Sequence, residues 1–164
     1  MDTHPLPNES TGADFDALIG DWRVLHRRLR RRLADCTDWQ SFEGRSHLGK
    51  VLGGQGTVDD NWLDLPGGAY HAVTLRAFDP ATRQWAIWWL DGRQPHQLDV
   101  PMRGCFSGGV GTFLADDCLD GRPVRVRFRW TGLHSGRPHW EQAFSPDGGH
   151  SWETNWEMDF RRPG

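Results

Sequence analysis

Residues 122–162 read RPVRVRFRWTGLHSGRPHWEQAFSPDGGHSWETNWEMDFRR. Two turn-rich connections, Thr131–His139 and Ser145–Ser151, divide this stretch into three antiparallel strands. Setting Trp130 opposite Trp140 places Phe128 against Gln142 and Val126 against Phe144, because side chains alternate between faces with period two. Carried across the second turn, the same alternation sets Phe144 against Trp152, Gln142 against Thr154 and Trp140 against Trp156. One face then holds Val124, Val126, Phe128, Trp130, Trp140, Gln142, Phe144, Trp152, Thr154, Trp156 and Met158. The other holds Arg125, Arg127, Arg129, Glu141, Glu153, Asn155 and Glu157, with Arg129 beside Glu141. A slip of one residue would mix the two faces, so their separation supports this register. The reading is an aromatic wall interrupted by two neutral polar groups, a lining suited to a small-molecule pocket.

Upstream, Gly111–Leu119 and Arg122–Trp130 form a hairpin that turns at Asp120-Gly121, a favoured two-residue signal. Its register pairs Phe113 with Phe128 and Asp116 with Arg125, in agreement with the faces above. Tyr70–Phe78 and Trp85–Asp91 form a second hairpin around an Asp79-Pro80 turn. Matching Phe78 to Trp85 collects Val73, Leu75, Ala86, Trp88 and Leu90 on one face and Thr74, Arg76, Ile87, Trp89 and Asp91 on the other. Both faces carry tryptophan, and the sequence leaves open which is inside. Trp39–Val51 and Thr57–Leu65 read as strands, as does a segment within Gln97–Phe106 that Pro101 breaks. Gly20-Asp-Trp22 opens the first strand; Leu25, Leu29 and Leu33 at spacing four fit a face of either a helix or a strand, and the uncapped, β-friendly start favours a strand continued to residue 33. Ahead of it, residues 13–19 form one short helical turn with Phe15, Leu18 and Ile19 on one side. Residues 1–12 are expected to be a flexible arm and residues 13–164 the domain.

A chain of 164 residues with 20 glycines, 10 prolines and 37% hydrophobic residues fits one domain of many short strands. Ten tryptophans against one tyrosine supply large apolar area, each with one N–H donor. The net charge of −3 offers no general attraction to nucleic acid or to an anionic membrane. The basic run at residues 27–32 lacks the interleaved aromatics of a base-stacking surface and reads as a solvated face. Cys36, Cys105 and Cys118 have no metal-ligand spacing, and their odd number argues against a disulfide framework. Neither a signal peptide nor a run of about 20 apolar residues is visible, so a cytoplasmic location is expected. About ten strands in up-and-down order predict an all-β fold, a single antiparallel barrel whose closure removes exposed edges.

Gly20-Asp-Trp22 at the first strand, with Arg161 and Arg162 after the last, resembles the calycin pattern of lipocalins and fatty-acid-binding proteins. There the tryptophan packs at the barrel base under a basic side chain from near the C-terminus. A longer pattern includes Phe78-Asp-Pro80, Trp85 with Trp89 and Asp91, Trp140-Glu-Gln142, Ser145-Pro-Asp-Gly-Gly149 and Asn155-Trp156. It is similar to an uncharacterised bacterial family of lipocalin-like domains and spans roughly residues 13–162. The resemblance implies a calycin-like barrel and leaves activity open, since fold does not fix function.

The expected ligand-binding residues are Trp88, Trp89, Trp130, Trp140, Gln142, Thr154 and Trp156. The contents would be a hydrophobic or aromatic small molecule. A small barrel enzyme of isomerase or cyclase type is the alternative, with His26 the candidate acid–base group. Nitrobindins, also calycin-like, hold haem through a histidine, but no motif here maps onto that ligand, so neither haem nor another cofactor is expected. The eight histidines form no metal-binding pattern, and no Gly-x-Ser-x-Gly motif marks a nucleophile. A homodimer is expected if Arg76 and Asp91 point inward, because Val73, Leu75, Trp88 and Leu90 then form an exposed apolar patch.

Overall fold

The computed structural model describes residues 10–164. Ten strands follow one another: β1 Gly20–Leu29, β2 Trp39–Val51, β3 Gly56–Leu63, β4 Tyr70–Asp79, β5 Gln84–Asp91, β6 Met102–Ser107, β7 Val110–Leu119, β8 Arg122–Thr131, β9 His139–Ser145 and β10 Glu153–Arg161. Each pairs antiparallel with its sequence neighbour, and β10 returns to pair with β1, closing the barrel. Three short 3-10 turns complete the structure, and no described helix is long and apolar enough to cross a membrane. The all-β, up-and-down expectation holds, and the strands alternate buried and exposed residues as period two requires.

The registers read from the hairpins hold through β9. Phe78 pairs with Trp85, Phe113 with Phe128, Asp116 with Arg125, and Trp130 with Trp140. Across β9 and β10 the expected register is corrected. The turn leaves Glu153 against Phe144 and Thr154 against Ala143, one residue off the expected register, and a bulge at Asn155 then sets Trp156 against Gln142 and Met158 against Trp140. The cause lies in the turn before β10. The Asp147 carboxylate accepts from Ser145 Oγ at 2.8 Å, Ser151 N at 2.8 Å and Ser151 Oγ at 2.6 Å, which winds residues 145–151 into a wider connection. The bulge then inserts one extra residue. The wider connection puts Trp152 and Thr154 off the inner face and Asn155 in the core, where it is fully buried, and the bulge returns Trp156 to the inner face.

The first strand also ends earlier than its leucine spacing suggests, at Leu29 rather than residue 33. Its partners run out there, since β10 reaches β1 only as far as Arg28 and β2 begins opposite Leu29. Residues 30–38 turn the chain back, with Arg30 Nε 2.9 Å from the Asp38 carboxylate. The arginine run therefore straddles a strand end. Arg27 points outward over Trp39, while Arg28 points inward over Trp156.

At the other end the barrel is plugged. The helical turn Asp16–Leu18 drives Phe15 and Leu18 into the base, both buried, while Ile19 stays 40% exposed. Phe15 packs edge-on to Trp85, Phe106 and Trp130 at 4.9, 5.2 and 5.9 Å. Most of the expected N-terminal arm lies outside the described residues. Of its last residues, Ser10 is buried, donates to Asp14 and accepts from Phe106 N at 3.2 Å. Trp22 donates from Nε1 to Leu18 O at 2.9 Å and lies 3.8 Å beneath the Arg162 guanidinium. This is the tryptophan-under-arginine arrangement that the calycin resemblance implies. Gly20 makes it possible, because its φ is +100° and a Cβ there would come within 3.0 Å of Arg162.

Candidate functional site

Plugged at the base, the barrel encloses a cavity of about 460 Å³ beneath its other end. That end is formed where β1, β5 and β7 finish and β4 and β8 begin, and the segment 92–101 crosses it. The walls are aromatic. Trp140 and Trp156 meet edge to face at 5.4 Å, Trp89 meets Trp156 at 5.9 Å, and Phe128 meets Trp140 at 5.0 Å. Offset and T-shaped contacts of this kind are the favoured aromatic geometry.

Of the residues expected to line the lumen, Trp89, Trp130, Trp140, Gln142 and Trp156 do so. Two do not. Trp88 lies on the outer face of β5, because Arg76, Ile87, Trp89 and Asp91 take the inner one. Thr154 falls before the bulge, opposite Ala143, and is replaced as the partner of Gln142 by Asn155. Gln142 donates from Nε2 to Asn155 Oδ1 at 2.9 Å. Trp140 and Trp156 remain neighbours across β9 and β10, diagonally rather than directly opposed.

His26 does lie on the inner face of β1 but is packed, not free. It stacks on Phe42 with ring centroids 4.7 Å apart and accepts the Trp156 Nε1–H on Nδ1 at 3.1 Å. The close stacking depends on Gly44, where a Cβ would come within 2.8 Å of His26 Nε2. Burial, reinforced by the positive charge of Arg28, lowers the histidine pKa from 6.5 to about 3. The unfolded chain takes up this proton near pH 6.5 and the folded one only near pH 3, so stability falls as pH drops through that window. His26→Asn, which keeps an acceptor without a titrating ring, should lose about 2–3 kcal/mol less than wild type between pH 7 and 4.5. Urea melts at the two pH values measure this difference; equal pH slopes would exclude a buried neutral histidine.

Charged side chains line the cavity as well, and most were not singled out from sequence. Deep in the lumen, Arg76 Nη1 lies 2.5 Å from Asp59 Oδ1, and both residues are buried. The Arg76 guanidinium sits 4.7 Å over the Phe15 ring and 5.5 Å from that of Trp130. At the mouth, Arg93 Nη2 lies 2.7 Å from Asp91 and its guanidinium covers Tyr70 at 3.6 Å. Arg28, Arg32, Asp99 and Asp117 complete the rim. The period-two count places Arg28 on the inner face two residues after His26, a signal the arginine-run reading passed over.

On the outer wall, His139, Glu141 and Glu157 offer ligand atoms within 4.8 Å of one another. Each already has a partner. His139 meets Asp159 at 2.8 Å, Glu141 meets Arg129 at 3.4 Å, and Glu157 meets Arg27 at 2.7 Å. The group is a salt-bridge ladder, as expected for Glu141 beside Arg129. Glu153 has left it, and accepts from Leu33 N at 2.8 Å instead.

No family model and no curated protein matches this sequence. Among solved structures, an S-type phycobiliprotein lyase, CPES from Guillardia theta, superposes with a TM-score of 0.62 at 11% identity, covering 94% of this chain and 93% of that one. At that identity the likeness shows the fold, a calycin-like closed barrel.

Proposed function

We propose that this chain is a cytoplasmic binding protein that holds a hydrophobic or aromatic small molecule in its barrel lumen. The supporting observation is the cavity itself: about 460 Å³, plugged at the base and walled by Trp89, Trp130, Trp140 and Trp156. That volume falls within the range of small-molecule sites. The isomerase or cyclase alternative rests on His26, whose Nδ1 lone pair is taken by Trp156 and whose proton affinity is low. A binding role needs no such group. The neutral aromatic probe N-phenyl-1-naphthylamine should bind one to one, with enhanced and blue-shifted emission and quenching of tryptophan fluorescence. Absence of saturable enhancement would overturn the lumen reading.

We further propose a homodimer. With Arg76 and Asp91 turned inward, the outer face of β4 and β5 carries Val73, Leu75, Trp88 and Leu90, of which Leu75 is 39% exposed. A second copy of the same patch would cover it by two-fold symmetry. Light scattering should give twice the chain mass of 18.7 kDa, and Leu75→Glu should halve it. A wild-type monomer at micromolar concentration would count against this assembly.

A further inference from the structure

The cavity's charges are unevenly satisfied. Arg76 is neutralised by Asp59 and Arg93 by Asp91. Arg28 and Arg32 have no salt-bridge partner among the described residues. Arg28 also engages the Tyr70 side chain and lies 4.8 Å over Trp156, but its buried Nη1 makes no hydrogen bond. Asp91 is near enough to feel Arg28, but its oxygens are held by Arg93. Arg32 packs 5.7 Å from the Phe144 ring, and burial and the like charge of Arg28 lower its pKa although Asp120, within electrostatic reach but not in salt-bridge contact, acts the other way. A buried guanidinium nitrogen without a partner is costly, and the half-buried Arg32 beside it adds like-charge repulsion. Across the mouth the balance is opposite. Asp99 and Asp117 line the β5 and β7 side, and burial together with Asp117 and Asp91 raises the Asp99 pKa. The mouth is thus cationic on one side and anionic on the other, above an aromatic lumen.

We infer that the ligand is an aromatic amphiphile with a single oxyanion, such as a carboxylate, seated on Arg28 and Arg32 while its apolar body fills the tryptophan-walled lumen. Guanidinium groups receive such oxyanions through charge-assisted, often bidentate hydrogen bonds, which would satisfy the orphaned Nη1. Asp99 and Asp117 disfavour a second negative group on the far side. The inference rests on the lumen being a binding site and adds the charge of what it binds.

Two fluorescent probes separate the ideas. 8-Anilinonaphthalene-1-sulfonate has the skeleton of N-phenyl-1-naphthylamine plus one oxyanion. Wild type should bind the sulfonate about ten- to a hundredfold more tightly than the neutral probe. Arg28→Gln and Arg32→Gln should each remove roughly tenfold or more of that preference while leaving the neutral probe within about twofold. Arg23→Gln, on the exposed outer face of the same strand, should change neither. Removing an unpaired charge should not unfold the barrel, and thermal melts of the variants verify this. If the neutral probe binds but the sulfonate binds no better and ignores Arg28 and Arg32, the anion site is overturned and the lumen reading stands. If neither probe binds, both are overturned. Sulfonate binding that depends on Arg28 without neutral-probe binding supports the anion site alone.

Discussion

Replacing Asp59 with alanine is expected to lower the unfolding free energy by about 3–5 kcal/mol, measured by urea or thermal denaturation. Asp59 and Arg76 form a 2.5 Å ion pair with side chains only 8% and 3% exposed. Removing the carboxylate leaves a guanidinium confined between Phe15 and Trp130 with no counter-ion. The neighbouring contacts do not replace it. Thr57 Oγ1 accepts from Arg76 Nη1 at 3.3 Å, and Arg76 Nε already lacks a partner. Removing both charges should be gentler than removing one, because two desolvation costs vanish together. The double change Asp59→Leu with Arg76→Met should therefore lose less than Asp59→Ala alone. A double variant less stable than either single one would show that the pair is held for its net attraction rather than tolerated as a matched burial.

Trp156→Ala is expected to cost about 3–5 kcal/mol as well, the range for truncating a large aromatic in a packed site. Trp156 is 8% exposed and joins four groups. It meets Trp140 and Trp89 edge to face, donates to His26 Nδ1, and lies beneath the Arg28 guanidinium. Its loss should open the wall between cavity and core and strand the His26 acceptor. The same variant should lose most of the ligand-induced quenching of tryptophan fluorescence, because the indole beneath the mouth is gone. A loss below about 1 kcal/mol would mean that the site collapses around the gap or was never well packed. Full quenching in the variant would place the probe elsewhere in the molecule.

Much of this barrel is legible in residues 111–145. There Asp120-Gly121 fixes the hairpin, and alternating arginines and aromatics sort the faces. A one-residue slip would place a row of guanidinium groups in the core. Strand number and the all-β class follow from turn residues and period two, and the Trp22–Arg162 base is what the calycin resemblance of Gly20-Asp-Trp22 and the C-terminal arginines implies. The inner residues Trp130, Trp140 and Gln142 are legible for the same reason, whereas Trp156 is inside only because the bulge offsets the shift at the preceding turn.

What the tertiary structure alone decided has a common cause: each case depends on a partner distant in sequence or on geometry outside the period-two pattern. The connection after Ser145 shifts the register by one residue and puts Asn155 rather than Thr154 beside Gln142, and the bulge at Asn155 returns Trp156 to the inner face. The inner face of β5 is settled by a buried ion pair, since Arg76 can turn inward only because Asp59, on the neighbouring strand, awaits it. That choice sends Trp88 outside and Trp89 inside. His26 is neutral and engaged because Trp156, 130 residues away, closes the barrel against it. Arg28 becomes a lumen residue because closure by β10 brings Trp156 beneath it, a contact that no pattern within the arginine run contains. Alternation along a strand says which side chains share a face, but only barrel closure says what that face meets.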